Sequence, residues 1–368
     1  VNILIIDNSN AFTGAFKCAL NEASLLADVH HFVFVVPVKS KNTALIQKKG
    51  FTVYELPLHE LSKSFKSISQ YPFYLLGNMA RLRKIVAREK IETVQVNDFY
   101  NLLGAGLKRI DKKLKLITYV RFLPSSLPAT LRKMWTNAAQ KNSDYVIAVS
   151  DAVLQQLPPQ SNTIRIYDAV MPEENEEIKE NEDGICRFLF LANFTRGKGQ
   201  EYALEAFINA CQKNKKIRLH YVGGDLELEK NRNFRRELEQ AVKQAGLSDV
   251  VTFNGFSSDT ERLIKTHEVL LNFSDAESFS MTCLEASFYG KPVIATRCGG
   301  PEEIIVNEVS GLLVDKKDIR GMEDAMLQFA TDANKRRAYG MSGRKIVREK
   351  FSAEGFRKKF SGILNTLS

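Results

Sequence analysis

The sequence predicts an α/β protein made of two doubly wound parallel-sheet domains, and three observations carry that expectation. Short β-branched runs alternate with helix-length amphipathic stretches along nearly the whole chain, the pattern of parallel strands joined by crossover helices. The alternation breaks once, over residues 158–184, where Pro158–Pro159 and an acidic run from Glu173 to Asp183 read as an interdomain linker. At 368 residues the chain also exceeds what one hydrophobic core ordinarily serves.

Taken in order, the first half offers strands at Ile3–Ile6, Phe32–Val36, Thr93–Val96, Leu116–Val120 and Tyr145–Val149. Helices are predicted between them at Ala15–Leu26, Asn78–Arg88, Leu102–Arg109 and Leu131–Ala139. After the linker the strands are Arg187–Leu191, Ile217–Val222, Val250–Phe253, Val269–Leu271, Pro292–Ala295 and Leu312–Val314. Their helices are Glu201–Cys211, Asn233–Ala245, Asp259–Lys265, Thr282–Phe288, Ile319–Ala330 and Asn334–Glu349, with Ala353–Leu367 as a last amphipathic helix. The predicted domains are therefore residues 1–170 and 185–352. In such sheets ligands bind beyond the carboxyl ends of the strands.

Composition narrows the class. The chain is 44% hydrophobic and 26% charged, as in a globular protein, and no run approaches 18 apolar residues. Val1–Ile6 passes directly to Asp7, so no secretory leader is read there. Five scattered Cys without C-x-x-C spacing point to a reducing, cytoplasmic setting. The net charge of +9 is uneven: residues 1–170 carry +10 and the remainder −1. A basic first domain fits an acidic partner, whether nucleic acid, an anionic membrane surface or a phosphorylated acceptor, or is simply a solvated face. Within it, Leu61–Leu76 mixes lysines with Phe65, Tyr71, Phe73 and Tyr74, a composition suited to a membrane interface or to packing on the core.

The stretch from Ser274 to Glu303 is the most informative. Glu277 and Glu285 stand eight residues apart, followed by a Gly290–Lys291–Pro292 turn, a strand, and the loop Gly299–Gly300–Pro301. Carboxylates accept vicinal hydroxyls in parallel, which suits ribose and hexose. Upstream, a strand leads into Ala192–Asn193–Phe194–Thr195–Arg196–Gly197–Lys198–Gly199, a basic, glycine-spaced loop before a helix and so a sensible diphosphate clamp. It lacks the spacing of a P-loop. The first strand likewise ends in Thr13–Gly14 before a helix, where a helix start favours negative charge. None of the five His lies in a hydrolase elbow or an H-E-x-x-H pattern, and no Asp-x-Asp pair exists to bridge a metal to a diphosphate.

These motifs and their order resemble the retaining glycosyltransferases of family 4, whose signature is Glu-x7-Glu followed by a helix, a Gly-Lys-Pro turn and a Gly-Gly loop. The resemblance spans nearly the full length. It implies the GT-B fold, two Rossmann-like domains facing a cleft, with the last helix, 353–368, returning to an acceptor-side first domain. The second domain would bind the nucleotide-sugar donor. The resemblance assigns catalysis to Glu277, on the sugar, and to Lys198, on the diphosphate; Arg196, two residues before Lys198, would stand in as the second cation for the family's Arg. Donor contacts are implied at Gly14, Asn193, Phe279, Ser280, Met281, Thr282 and Glu285, the last on the ribose. Two positions depart from the pattern: Asn193 stands where the family has Arg, and Arg121 where many members have a His near the transferred sugar.

The reading is a cytoplasmic, metal-independent, retaining hexosyltransferase, peripheral on the inner membrane face, for cell-surface polysaccharide or glycolipid assembly. It would use no cofactor. Its substrates would be a UDP- or GDP-sugar and a saccharide or lipid-linked acceptor, with peripheral contact to an anionic membrane and no nucleic acid. A GT-B nucleotide-sugar isomerase of the 2-epimerase type, or a non-catalytic nucleotide-sugar binding protein, is the alternative.

Overall fold

The computed structural model describes residues 1–58, 65–171 and 183–367. It divides into two compact units, Val1–Met171 with Ala353–Ser368, and Pro172–Ser352. The acidic run after Pro172 lies outside the described residues up to residue 182.

The first unit runs β1 (Asn2–Ile6), α1 (Gly14–Leu26), β2 (His31–Pro37), α2 (Thr43–Lys48), β3 (Thr52–Leu56), α3 (Phe65–Arg88), β4 (Thr93–Val96), α4 (Leu103–Ile110), β5 (Lys115–Val120), α5 (Ala129–Asn142), β6 (Tyr145–Ala148), α6 (Asp151–Leu154) and β7 (Thr163–Arg165). Its seven strands are parallel in the order β3-β2-β1-β4-β5-β6-β7. Ile3 to Ile6 are fully buried, which is why the central strand reads as an unbroken apolar run: helices cover both faces. Two features depart from expectation. The predicted linker begins too early, because Thr163–Arg165 adds a seventh strand beside β6 and Ile166–Val170 are buried behind it. β3 and the short helices α2 and α6 were not foreseen.

The second unit runs β8 (Cys186–Leu191), α7 (Gln200–Lys213), β9 (Ile217–Val222), α8 (Glu229–Gln244), β10 (Val251–Asn254), α9 (Thr260–Lys265), β11 (Val269–Asn272), α10 (Met281–Phe288), β12 (Val293–Thr296), α11 (Pro301–Ile304), β13 (Gly311–Val314), α12 (Ile319–Thr331) and α13 (Ala333–Lys350). The sheet is parallel, ordered β10-β9-β8-β11-β12-β13. Its core is aromatic: Phe190 packs on Tyr221 and Phe273, and Tyr221 stacks on Phe253 with ring centroids 5.0 Å apart.

The last helix, α14 (Ala353–Leu367), belongs to the first unit. It buries Phe356, Phe360, Ile363 and Leu364, and packs against α1. Arg357 donates to the Leu25 carbonyl at 3.1 Å and pairs with Asp28, and Tyr145 Oη bonds Thr366 Oγ1 at 3.0 Å.

Candidate active site

In the second sheet the chain winds outward in both directions from β8 and β11, which are neighbours. Loops leaving the carboxyl ends of two such strands diverge and leave a crevice between them. They are Ala192–Gly199 and Phe273–Ser280, the two that hold Lys198 and Glu277.

Close backbone contacts stitch these loops together. The Asp275 N–H donates to the Gly197 carbonyl at 2.8 Å. Gly199 has φ +85°, and a Cβ there would lie 2.0 Å from the Phe273 carbonyl oxygen, so only glycine allows the approach. The result places Lys198 Nζ 2.7 Å from Glu277 Oε1, an oxygen that also accepts from Ser274 Oγ at 2.8 Å. The pair is separated by 79 residues and joined by the fold. Burial works against the Lys198 charge, but the adjacent Glu277 carboxylate prevails and the ammonium pKa is raised. Lys198 therefore stays cationic, with its side chain 36% exposed.

Glu277 is held on its other side by the glycine loop. Its N–H donates to the Cys298 carbonyl at 3.2 Å, and its carbonyl accepts from the Gly300 N–H at 2.9 Å. A Cβ on Gly300 would lie 2.2 Å from Phe279 Cα. The Gly299–Gly300 pair thus lets residues 277–279 lie flat against it. Phe279 is 2% exposed and packs on Phe351.

Ser280 turns the chain into α10. It has φ +83°, a left-handed conformation rare for a residue with a side chain. Its Oγ caps the helix by accepting from the Cys283 N–H, and also accepts from buried Asn272 Nδ2 at 2.8 Å. Met281 and Thr282 form the half-buried first turn, and Glu285 follows one turn later, 6% exposed. Replacing Ser280 by Gly relieves about 1 kcal/mol of backbone strain. Ala keeps that strain while losing the same cap and Asn272 partner. In urea unfolding we expect Ser280→Ala to be less stable than Ser280→Gly by about 1 kcal/mol or more. Equal stabilities would show that the turn is unstrained.

Other predicted residues take different positions. Arg196 turns away from Lys198: it pairs with Glu237 on α8, and its guanidinium lies 4.7 Å from the Phe234 ring centroid. Asn193 Oδ1 accepts from the Gly224 N–H at 3.1 Å, and its carbonyl accepts from Gln200 Nε2, so the residue braces the β8 and β9 loops. Sequence reasoning missed Ser274, Asn272 and Asp275, small polar residues whose role appears only once the loops meet.

In the first unit Gly14 opens α1 beneath the Thr13 cap, with nothing within 4 Å of where a Cβ would stand. Arg121 is not presented to a ligand as expected. It is 7% exposed; Nη1 lies 2.5 Å from Asp168, Nε donates to Asn97 Oδ1 at 2.7 Å, Nη2 lies 3.6 Å from Glu22, and the group sits 4.2 Å from the Tyr119 ring centroid. A guanidinium buried this deeply has to be paired internally. Burial still pushes the Glu22 carboxyl up to about 8. Beside this cluster, at the switch between β1 and β4, Asp98 is pushed up to about 7 by burial. Among the described residues no group of three or more His, Cys, Asp or Glu is arranged to hold a metal ion.

The family described as Glycosyl transferases group 1 matches residues 172–346. The chain is 30% identical over 315 residues to an uncharacterized glycosyltransferase of Methanocaldococcus jannaschii, covering 82% of this chain and 83% of that one. It is 24% identical over 324 residues to N-acetyl-alpha-D-glucosaminyl L-malate synthase of Bacillus anthracis, covering 83% and 82%. Human alpha-1,3/1,6-mannosyltransferase ALG2 is 30% identical over 206 residues, 53% of this chain and 49% of that one. In fold the chain is similar to Anabaena HepE, solved in complex with UDP-glucose, at TM-score 0.84 and 20% identity over 99% of both chains. It is also similar to TarM at TM-score 0.77 and 13% identity over 99% of this chain and 98% of that one.

Proposed function

This chain belongs to the glycosyltransferases, with a group 1 domain in its second unit, and from that premise we propose a retaining, metal-independent enzyme of the family 4 type that moves a hexose from a nucleotide-diphosphate sugar to a hydroxyl acceptor. The observation that carries this reading is the Lys198–Glu277 pair at the switch point of the second sheet. The bond from the anomeric carbon to the diphosphate oxygen breaks as the acceptor oxygen bonds to the same carbon on the same face. The acceptor proton passes to the departing phosphate oxygen. Negative charge grows on the diphosphate, and a fixed ammonium opposes it most strongly at the transition state.

In the resting arrangement Lys198 and Glu277 neutralise one another. An arriving diphosphate competes for the ammonium and releases the Glu277 carboxylate to accept sugar hydroxyls. Glu285, on the first turns of α10, is assigned to the ribose, and the helix start at Met281 and Thr282 to the phosphates. Asn193 and Arg196 are engaged elsewhere, which leaves Lys198 as the principal cation. The acceptor is assigned to the first unit as a saccharide or lipid-linked hydroxyl, in glycan or glycolipid assembly on the cytoplasmic side of a membrane. HepE was solved with UDP-glucose, which favours a UDP-sugar over a GDP-sugar.

Thermal unfolding with UDP, GDP and ADP tests the donor site. A ligand at 100 times its Kd adds about 2.7 kcal/mol, which raises Tm by several degrees. We expect UDP to give the largest shift, undiminished by EDTA. No shift with any nucleotide would overturn the donor-site reading. UDP-sugar consumption that proceeds without acceptor would favour the isomerase.

A further inference from the structure

In the first sheet β3 leads to β4, β4 to β5 and β5 to β6, crossing between parallel strands in one direction. Right-handed crossovers place α3, α4 and α5 together on one face, and α1 and α2 on the other. α4 packs against both α3 and α5. These three helices, Phe65–Arg88, Leu103–Ile110 and Ala129–Asn142, contain ten Lys and Arg and no Asp or Glu. With 43 acidic residues in 368, a stretch of this length drawn at the chain's average composition would hold about five. The opposite layer carries Glu22 on α1 and Glu354 on α14, and α8 of the second unit interleaves both signs.

Helix dipoles account for part of this, since cations stabilise a last turn. That covers Arg88, Lys108, Arg109 and Lys141. It leaves six, Lys66, Arg81, Arg83, Lys84, Arg132 and Lys133; of these Arg81, Arg83, Lys84 and Lys133 are exposed, and none of the four lies within 4.0 Å of a carboxylate among the described residues. Among the described side chains each helix also exposes one large apolar residue: Leu76 at 65%, Ile110 at 47% and Met134 at 46%. A soluble polyanion is recognised by cations alone, whereas a bilayer surface takes cations at its headgroups and apolar side chains between them. No helix among the described residues is long and apolar enough to cross a membrane, so attachment through this face is peripheral. The stretch 61–76 that suggested a membrane contact lies outside the described side chains up to residue 73. Leu76 ends that stretch and its side chain is described, while Lys66 enters only the count of cations.

We propose that the α3–α4–α5 face of the first unit docks on an anionic lipid bilayer, through the cations of these three helices and the exposed Leu76, Ile110 and Met134. This stands apart from the donor-site reading. The test is co-sedimentation of the full chain with phosphatidylcholine vesicles, with and without phosphatidylglycerol, alongside retention on immobilised heparin. We expect binding only to phosphatidylglycerol vesicles, weakened at high salt as ions screen the surface. Arg81→Glu/Arg83→Glu/Lys84→Glu should weaken it at least about 10-fold. Leu76→Ser/Met134→Ser should weaken vesicle binding but leave heparin retention unchanged. Equal binding to neutral vesicles, no effect of the charge reversals, or full vesicle binding by the Leu76→Ser/Met134→Ser variant would overturn the proposal, the last assigning the face to a soluble polyanion. The Tm shift with UDP in each variant reports separately on folding and on the donor site.

Discussion

Replacing Lys198 by Ala is expected to lower kcat for sugar transfer by about 100- to 1,000-fold, the usual effect of removing one preorganised group that faces developing negative charge. The Lys198 loop is locked to the neighbouring strand end, so once the bound diphosphate has displaced Glu277 the ammonium needs no further reorganisation before bond cleavage. The effect should fall mainly on kcat, because the diphosphate gains charge as the bond breaks and the ground state benefits less. Lys198→Arg should recover only part of the rate, since a planar fork does not reproduce a compact ammonium in the same space. Steady-state kinetics with a saturating acceptor measures both. Wild-type turnover in Lys198→Ala would return the clamp to Arg196, whose release from Glu237 on donor binding would then have to be demonstrated.

Gly199→Ala is expected to destabilise the protein by about 3 kcal/mol or more. Two costs coincide: the left-handed φ of +85°, and a Cβ 2.0 Å from the carbonyl oxygen of Phe273. That oxygen belongs to backbone at the end of a central strand, so it cannot rotate aside as a side chain would. Gly14→Ala is the matched control. Its Cβ would meet nothing within 4 Å, at the first position of a capped helix, so a change within about 1 kcal/mol is expected. Urea unfolding of the two variants makes the comparison. Similar midpoints would mean that the β8 and β11 loops are not locked, and that Lys198 is held by its ion pair alone.

Most of the fold could be read from the chain, and the exceptions have physical causes. Central strands announced themselves because burial on both faces demands continuous apolar runs, as in Ile3–Ile6. β3 is an edge strand and half exposed, so Thr52–Leu56 lacks that signal. β7 has only three residues and follows Pro158–Pro159, so local sequence favoured a linker over a strand whose pairing depends on β6. In the candidate site the chemistry of Lys198 and Glu277 was legible, but their pairing across 79 residues was not. Arg196 and Lys198 are two residues apart and looked equivalent. The left-handed Gly197, at φ +90°, lies between them, and their side chains find different partners. The left-handed Ser280 was equally hidden, since nothing in a serine's neighbours reports a positive φ.

The return of α14 to the first unit has a consequence for biogenesis. In the linear chain the second unit, Pro172–Ser352, is nested inside the first. During synthesis the amino-terminal part emerges first, yet it lacks the side chains of Phe356, Phe360, Ile363 and Leu364 that close its hydrophobic core. The nested unit has its whole sheet and core available about 15 residues earlier, before α14 has left the ribosome. The order of maturation is therefore reversed relative to the order of translation. The part of the first unit that precedes the nested unit waits, partly open, for α14, which follows it.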